Sequence, residues 1–201
     1  PIVELPWNIV QGGLRQAVGD PVGIASGDPT ALAGLVEGLM LGGFAMQAMR
    51  SSRPASGAEH QFSHLWDMQH HTHNGRAPSH GQKVGVATVA VTALYEQLLA
   101  CPTMPISPTE AVAAWPTASA QAQAIDQLFD DPSLRDLATR EMQAKAINHD
   151  ALLIQLTLLE QRWPELCERL REQLIPLQQL RDMLTEVGAA TEPEQIGITA
   201  E

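Results

Sequence analysis

Six of the seven histidines in this chain fall between His60 and His80, and His60 and His64 are four residues apart. Imidazole nitrogens bind zinc and iron and titrate near neutral pH, so the concentration points to a metal or proton-transfer site. Ser56-Gly57-Ala58-Glu59 has the form of a capping box, which predicts a helix starting at Gly57. His60, His64, Asp67 and His71 then share one face, while Phe62, Leu65 and Trp66 fall on another that can be buried. Ser79-His80-Gly81-Gln82 repeats the capping pattern and places His80 in the first turn of a helix running to about Ala100. Its apolar positions are Val84, Ala87, Val91, Leu94, Tyr95 and Leu98. The stretch from Thr72 to Pro78 is long enough to turn the chain, so antiparallel packing would bring His80 back against His60.

Spacing alone leaves another reading open. A His-x-x-x-His pair is often exposed or simply hydrogen-bonded, and the tract also fits a weak, adventitious metal-binding loop. His70, His71 and His73 read as polar decoration of a helix end. Two protein ligands also fall short of the three that a catalytic zinc usually takes.

The strings Ser51-Ser52-Arg53-Pro54-Ala55-Ser56-Gly57-Ala58-Glu59-His60, Phe62-Ser63-His64 and His80-Gly81-Gln82-Lys83-Val84-Gly85-Val86 occur in that order, each motif followed by a helix of suitable length. Together they resemble the C-terminal domain of sn-glycerol-1-phosphate dehydrogenases. That family shares a superfamily with glycerol dehydrogenase, iron-containing alcohol dehydrogenase and 3-dehydroquinate synthase. The resemblance implies a metal, zinc or else iron or nickel, held by His60, His80 and an aspartate from the segment joining two domains. It sets His64 beside the metal and the cofactor ring, in substrate binding or proton transfer. Arg53, Lys83 and Ser56 become candidates for the substrate and its phosphate, Arg53 as a bidentate fork and Lys83 as a point charge.

Two features of the family pattern are missing. No Gly-rich turn follows a strand-like run, so the nucleotide-binding domain of such enzymes has no counterpart here. The linking aspartate has none either. Asp28-Pro29-Thr30 reads as a helix cap with proline behind it, and Asp20 precedes Pro21 in a punctuated loop. The chain is therefore expected to be the helical half of a longer enzyme, starting just beyond the aspartate.

The elements that must hold these residues are helical. In 201 residues, 44% are hydrophobic and few are aromatic, which fits an all-α, multi-helix bundle built from Ala, Leu, Val and Met. Residues 1–201 are expected to form a helical metal- and substrate-binding domain, with the metal-site core at about 29–100 and a helical remainder at 107–190. Ala31 to Met49 is apolar over almost membrane-spanning length but reads as a buried central helix rather than a span, its small residues letting neighbours approach. Pro102 to Pro116 reads as an irregular connection. Helices follow at Ala118–Phe129, Ser133–Ala146, Asp150–Arg162 and Pro164–Val187, with Leu152, Leu153, Leu156 and Leu159 as a stripe and charged residues, Arg171 among them, toward solvent. His149 reads as a helix start, and the polar tail from Thr191 as frayed.

A net charge of −11 argues against nucleic acid or an anionic membrane as partner. Cys101 and Cys167 are unpatterned, as reduced thiols of a cytoplasmic protein are. The resemblance implies NAD(P)-linked interconversion of glycerol 1-phosphate and dihydroxyacetone phosphate or a related polyol. The expected partners are a small phosphorylated polyol, an N-terminal nucleotide-binding domain that carries NAD or NADP, and in some assemblies a second copy. A 3-dehydroquinate synthase-like lyase and a non-catalytic zinc-binding or interaction module are the alternatives.

Overall fold

The computed structural model describes residues 3–199, and among them the fold is all-α with no strand. The chain divides into two compact units, one built from residues up to Glu96 together with those from Ile175 onward, the other from Gln97–Leu174.

In the first unit α1 (Glu4–Ala17), α2 (Pro21–Ser26) and α3 (Pro29–Met49) follow one another through capped turns. Asp20 accepts from the Gly23 amide at 2.8 Å, and Asp28 accepts from Thr30 and Ala31 at 2.9 Å, each cap followed by a proline at the first helical position. Both early aspartates are thus committed to helix starts. Helices α1 and α3 pack closely through small residues: Gly13 lies under the end of the Leu41 side chain, and Gly38 lies under Ala17 with no room for a Cβ.

Helix α3 is not the buried central helix its composition suggests. Among the described residues α1, α2 and a 3-10 turn (Arg53–Ala55) make its main contacts, and Leu32, Val36, Leu39, Met40 and Phe44 form an exposed stripe, Leu39 at 69%. By length and composition it could cross a membrane. Its ends are capped by Asp28 and by Arg50 in the left-handed conformation, φ 50°.

Helices α4 (Ala58–Met68) and α5 (His80–Leu99) carry the histidines. The buried residues of α5 are Lys83, Val86, Ala87, Val89, Thr92 and Leu99, a set rotated from the apolar positions read off the pattern, and Leu94 is 67% exposed. Threonine tolerates this burial because Thr88 and Thr92 hydroxyls donate to the carbonyls of Val84 and Thr88 at 2.7 and 2.8 Å.

The tail is docked rather than frayed. After α10 (Leu177–Glu186) the chain enters a 3-10 turn (Pro193–Ile196), and Ile196, 1% exposed, packs with Val86 and Ala190 against Trp66 and Ile198. Gln195 secures the turn by accepting from the amides of Thr191 and Glu192 at 2.7 and 2.9 Å.

The second unit holds α6 (Pro108–Ala113), α7 (Ala118–Leu128), α8 (Pro132–Ala144) and α9 (His149–Gln173). The Pro-rich connection contains α6 because Ser107 and Glu110 complete a capping box with Pro108 at the first position. Helix α9 runs through Pro164 instead of breaking there. A proline inside a helix costs a hydrogen bond and a clash, about 3 kcal/mol. Burial on both sides offsets it: Trp163 and Cys167 pack with Leu99, flanked by Leu159 and Leu170. The break comes instead at Leu174, where the chain turns extended before Pro176. Arg171 is not simply solvated, since its guanidinium donates to the Leu99 carbonyl.

Candidate functional site

Three of the clustered histidines meet at the start of α4 and α5. The rings of His60 and His80 lie 5.2 Å apart between centroids and those of His60 and His64 6.1 Å. Two imidazoles bound to one tetrahedral ion at about 2.1 Å from each nitrogen place their centroids roughly 5 Å apart, so the His60–His80 spacing fits a shared metal.

The second nitrogen of each ring is held. His60 Nδ1 lies 2.8 Å from Glu59 Oε1, and a carboxylate only accepts, so Nδ1 carries the hydrogen and Nε2 of the neutral ring carries the lone pair. His80 Nδ1 lies 3.2 Å from the hydroxyl of Ser63, which is fully buried. With Ser63 accepting, His80 too offers Nε2. Carboxylate and hydroxyl partners of this kind orient metal-ligating histidines.

Glu59 also accepts from the Gly57 amide at 2.8 Å. Burial pushes its carboxyl up, but the hydrogen bonds from His60 and from backbone amides outweigh it and hold it below the ordinary range. This is half of the expected capping box, shifted by one residue. Helix α4 starts at Ala58 with Gly57 as its cap, and no side-chain cap forms.

Behind the histidines, the ammonium of Lys83 is bonded to the Asp67 carboxylate. Lys83 is 4% exposed, neither a solvated lysine nor a cation open to a ligand. The Lys83 bond, with further attraction from Lys83, His80 and His64, holds the Asp67 carboxyl below its ordinary range. Phe62, expected to be buried, is 43% exposed, and the residue of α4 that goes inside is Ser63. His71 leaves the cluster and donates through Nε2 to the Ile196 carbonyl at 2.6 Å, which ties α4 to the tail.

Arg53 and Ser56 are not drawn into this group by any contact among the described residues. Arg53 is exposed and lines a separate cleft of about 230 Å³ with Trp7, Val10 and Met49. Ser63 is the residue that spacing missed. Its place one position before His64, on the side of α4 facing His80, is legible only once the two helices are paired.

Among the described residues no group of three or more His, Cys, Asp or Glu side chains is placed to hold a metal ion. His60 and His80 therefore make a two-nitrogen set.

Comparison with known proteins agrees with the motifs. Glycerol-1-phosphate dehydrogenase of Geobacillus stearothermophilus is 29% identical over 199 residues, 98% of this chain. The resemblance to glycerol-1-phosphate dehydrogenases therefore runs along nearly the whole chain. The enzyme of that name from Geobacillus thermodenitrificans is 27% identical over 198 residues, and that from Halalkalibacterium halodurans is 35% identical over 96 residues, 48% of this chain and 24% of its own length. The chain spans 39% of the length of the two Geobacillus dehydrogenases. The match is consistent with the C-terminal domain of a glycerol-1-phosphate dehydrogenase. No protein-family model matches the chain, and no solved structure does.

Proposed function

We propose that this chain is the metal- and substrate-binding half of an NAD(P)-linked oxidoreductase that interconverts glycerol 1-phosphate and dihydroxyacetone phosphate. The observation that carries the reading is the pair of imidazoles 5.2 Å apart, His60 held through Nδ1 by Glu59 and His80 by Ser63. The relatives matched along the chain are named for this reaction.

His60 and His80 would hold the ion through Nε2, and a third ligand would come from outside the described residues. Zinc, iron or nickel suits two imidazoles. A bound divalent ion supplies Lewis acidity at a carbonyl or hydroxyl oxygen, and NAD(P), carried by a nucleotide-binding domain, supplies or accepts the hydride.

The remaining work falls to side chains of this chain. Glu59 and Ser63 fix the two rings, so the ligand atoms need no reordering when an ion arrives. His64 is exposed next to His60, where an imidazole can hold or pass the substrate's hydroxyl proton, directly or through water. The Lys83–Asp67 bond braces α5 against α4 one turn behind His80. Free thiols at Cys101 and Cys167 suit a reducing compartment, and the proposed location is cytoplasmic.

The test is NAD(P)H oxidation with dihydroxyacetone phosphate by a protein that joins this chain to a nucleotide-binding domain. Activity should disappear on chelation and in His60→Ala and His80→Ala, and the 201-residue chain alone should show none. Turnover by the chain alone, or activity indifferent to both histidines, would overturn the proposal.

A further inference from the structure

The loop between α4 and α5 folds against the docked tail and leaves a cavity of about 230 Å³ beside the first turn of α5. His73, Arg76, Gln82 and Gln195 form its polar lining, with Ala77 and Pro78 completing the wall. What these side chains have left to offer is mainly donors. Gln82 commits Oε1 to the Ser79 amide at 2.8 Å, and Gln195 commits its own to the amides of Thr191 and Glu192. Each glutamine has its NH2 group left, which only donates, and the oxygen of Gln195 is filled by its two bonds. His73 Nε2 accepts from Asn74 Nδ2 at 3.0 Å, so its acceptor is also used.

Arg76 supplies the charge. It ends a tight turn in which Asn74 and Gly75 both have positive φ, 52° and 74°, closed by His73 N to Arg76 O at 2.8 Å and Arg76 N to His73 O at 3.1 Å. The turn brings Arg76 to the cavity, where among the described residues no side-chain partner holds it and no carboxylate forms part of the wall. In a chain of net charge −11, a cavity lined by donors and a cation is selective for an anion.

We infer that this cavity binds a phosphate group, with Arg76 supplying charge and two N–H donors and the carboxamides of Gln82 and Gln195 supplying the remaining hydrogen bonds. The group recognised is the phosphate itself, whether it comes as the free ion or on a phosphorylated polyol.

The experiment titrates the 201-residue chain with inorganic phosphate and with glycerol 1-phosphate, against chloride at equal ionic strength, and follows the side-chain NH resonances of Arg76, Gln82 and Gln195. Saturable shifts at these three groups are expected, with affinity about tenfold weaker in Arg76→Gln and partly restored in Arg76→Lys. Arg135→Gln, at an exposed site in the other unit, should bind like the unaltered chain. No saturable shift, or equal affinity in Arg76→Gln, would overturn the inference. Arg76-dependent binding of inorganic phosphate alone would uphold the cavity as a site for the free ion, and binding of both would uphold it as a site for a phosphate ester.

Discussion

The hydroxyl of Ser63 lies 3.2 Å from His80 Nδ1, across a sequence separation of 17 residues. Ser63 is fully buried, so it holds the imidazole from inside the fold. Replacing Ser63 with Ala should weaken metal binding about 10-fold or more, the usual effect of losing a group that orients a ligand, while folding stability drops by about 1 kcal/mol. Chelator competition and denaturant unfolding on the same variant separate the two effects. Unchanged metal affinity would mean that the serine only packs.

The Asp67–Lys83 bond gives the fold a pH dependence of known sign. The Asp67 carboxyl is held below its ordinary value of 3.8, so the unfolded chain binds its proton first as pH falls. The stabilisation is fully present above that value and is lost as pH drops through the lower, folded one. Asp67 is half exposed, so its surface attraction counts for little; the larger cost of Asp67→Asn is a buried ammonium left without its carboxylate, about 1–2 kcal/mol. Urea midpoints should therefore separate the variant from the parent at pH 7 and converge as pH falls below 3.8. Parallel curves over that range would remove the pair from the account.

Glycines in α3 divide by what surrounds them. Gly38 faces Ala17 with no space for a methyl group, whereas nothing lies within 4 Å of the corresponding position at Gly42. Alanine in place of glycine in a helix gains about 0.5–1 kcal/mol, and overpacking costs about 1–3. Gly42→Ala should raise the melting temperature and Gly38→Ala should lower it. The same sign at both positions would contradict the close approach of α1 and α3.

Docking of the tail puts a large side chain under helices α4 and α5. Ile196→Ala should cost about 2–5 kcal/mol because a residue 1% exposed leaves a cavity, and hydrogen exchange at His71 should quicken with it. A loss below about 1 kcal/mol would return the tail to the frayed state its polar composition suggested.

How much of this was legible in the sequence follows from the range of the interactions involved. Caps are local, so Asp28 and the start of α5 at His80 read directly from short strings. The His60–His80 approach was legible too, because two capped helices joined by a short loop have few ways to pack. Burial was not. Helix α3 is apolar enough for a core, yet which of its faces is covered depends on neighbours that composition does not name. Pro164 looked like a terminator because its local cost is plain, while the packing of Trp163 and Cys167 that offsets it comes from residues some sixty positions away. Lys83 shows the same limit: pattern made it a first-turn lysine, and only the position of Asp67 on the other helix buries its charge.

The most direct measurement is zinc affinity and stoichiometry by calorimetry on the 201-residue chain, with His60→Ala, His80→Ala and a His70/His71/His73→Ala variant alongside. The account predicts one equivalent of zinc, lost in the first two variants and retained in the third. Binding that survives loss of His60 and His80 but vanishes with the loop histidines would contradict it, and would leave the cluster as an adventitious metal-binding tract.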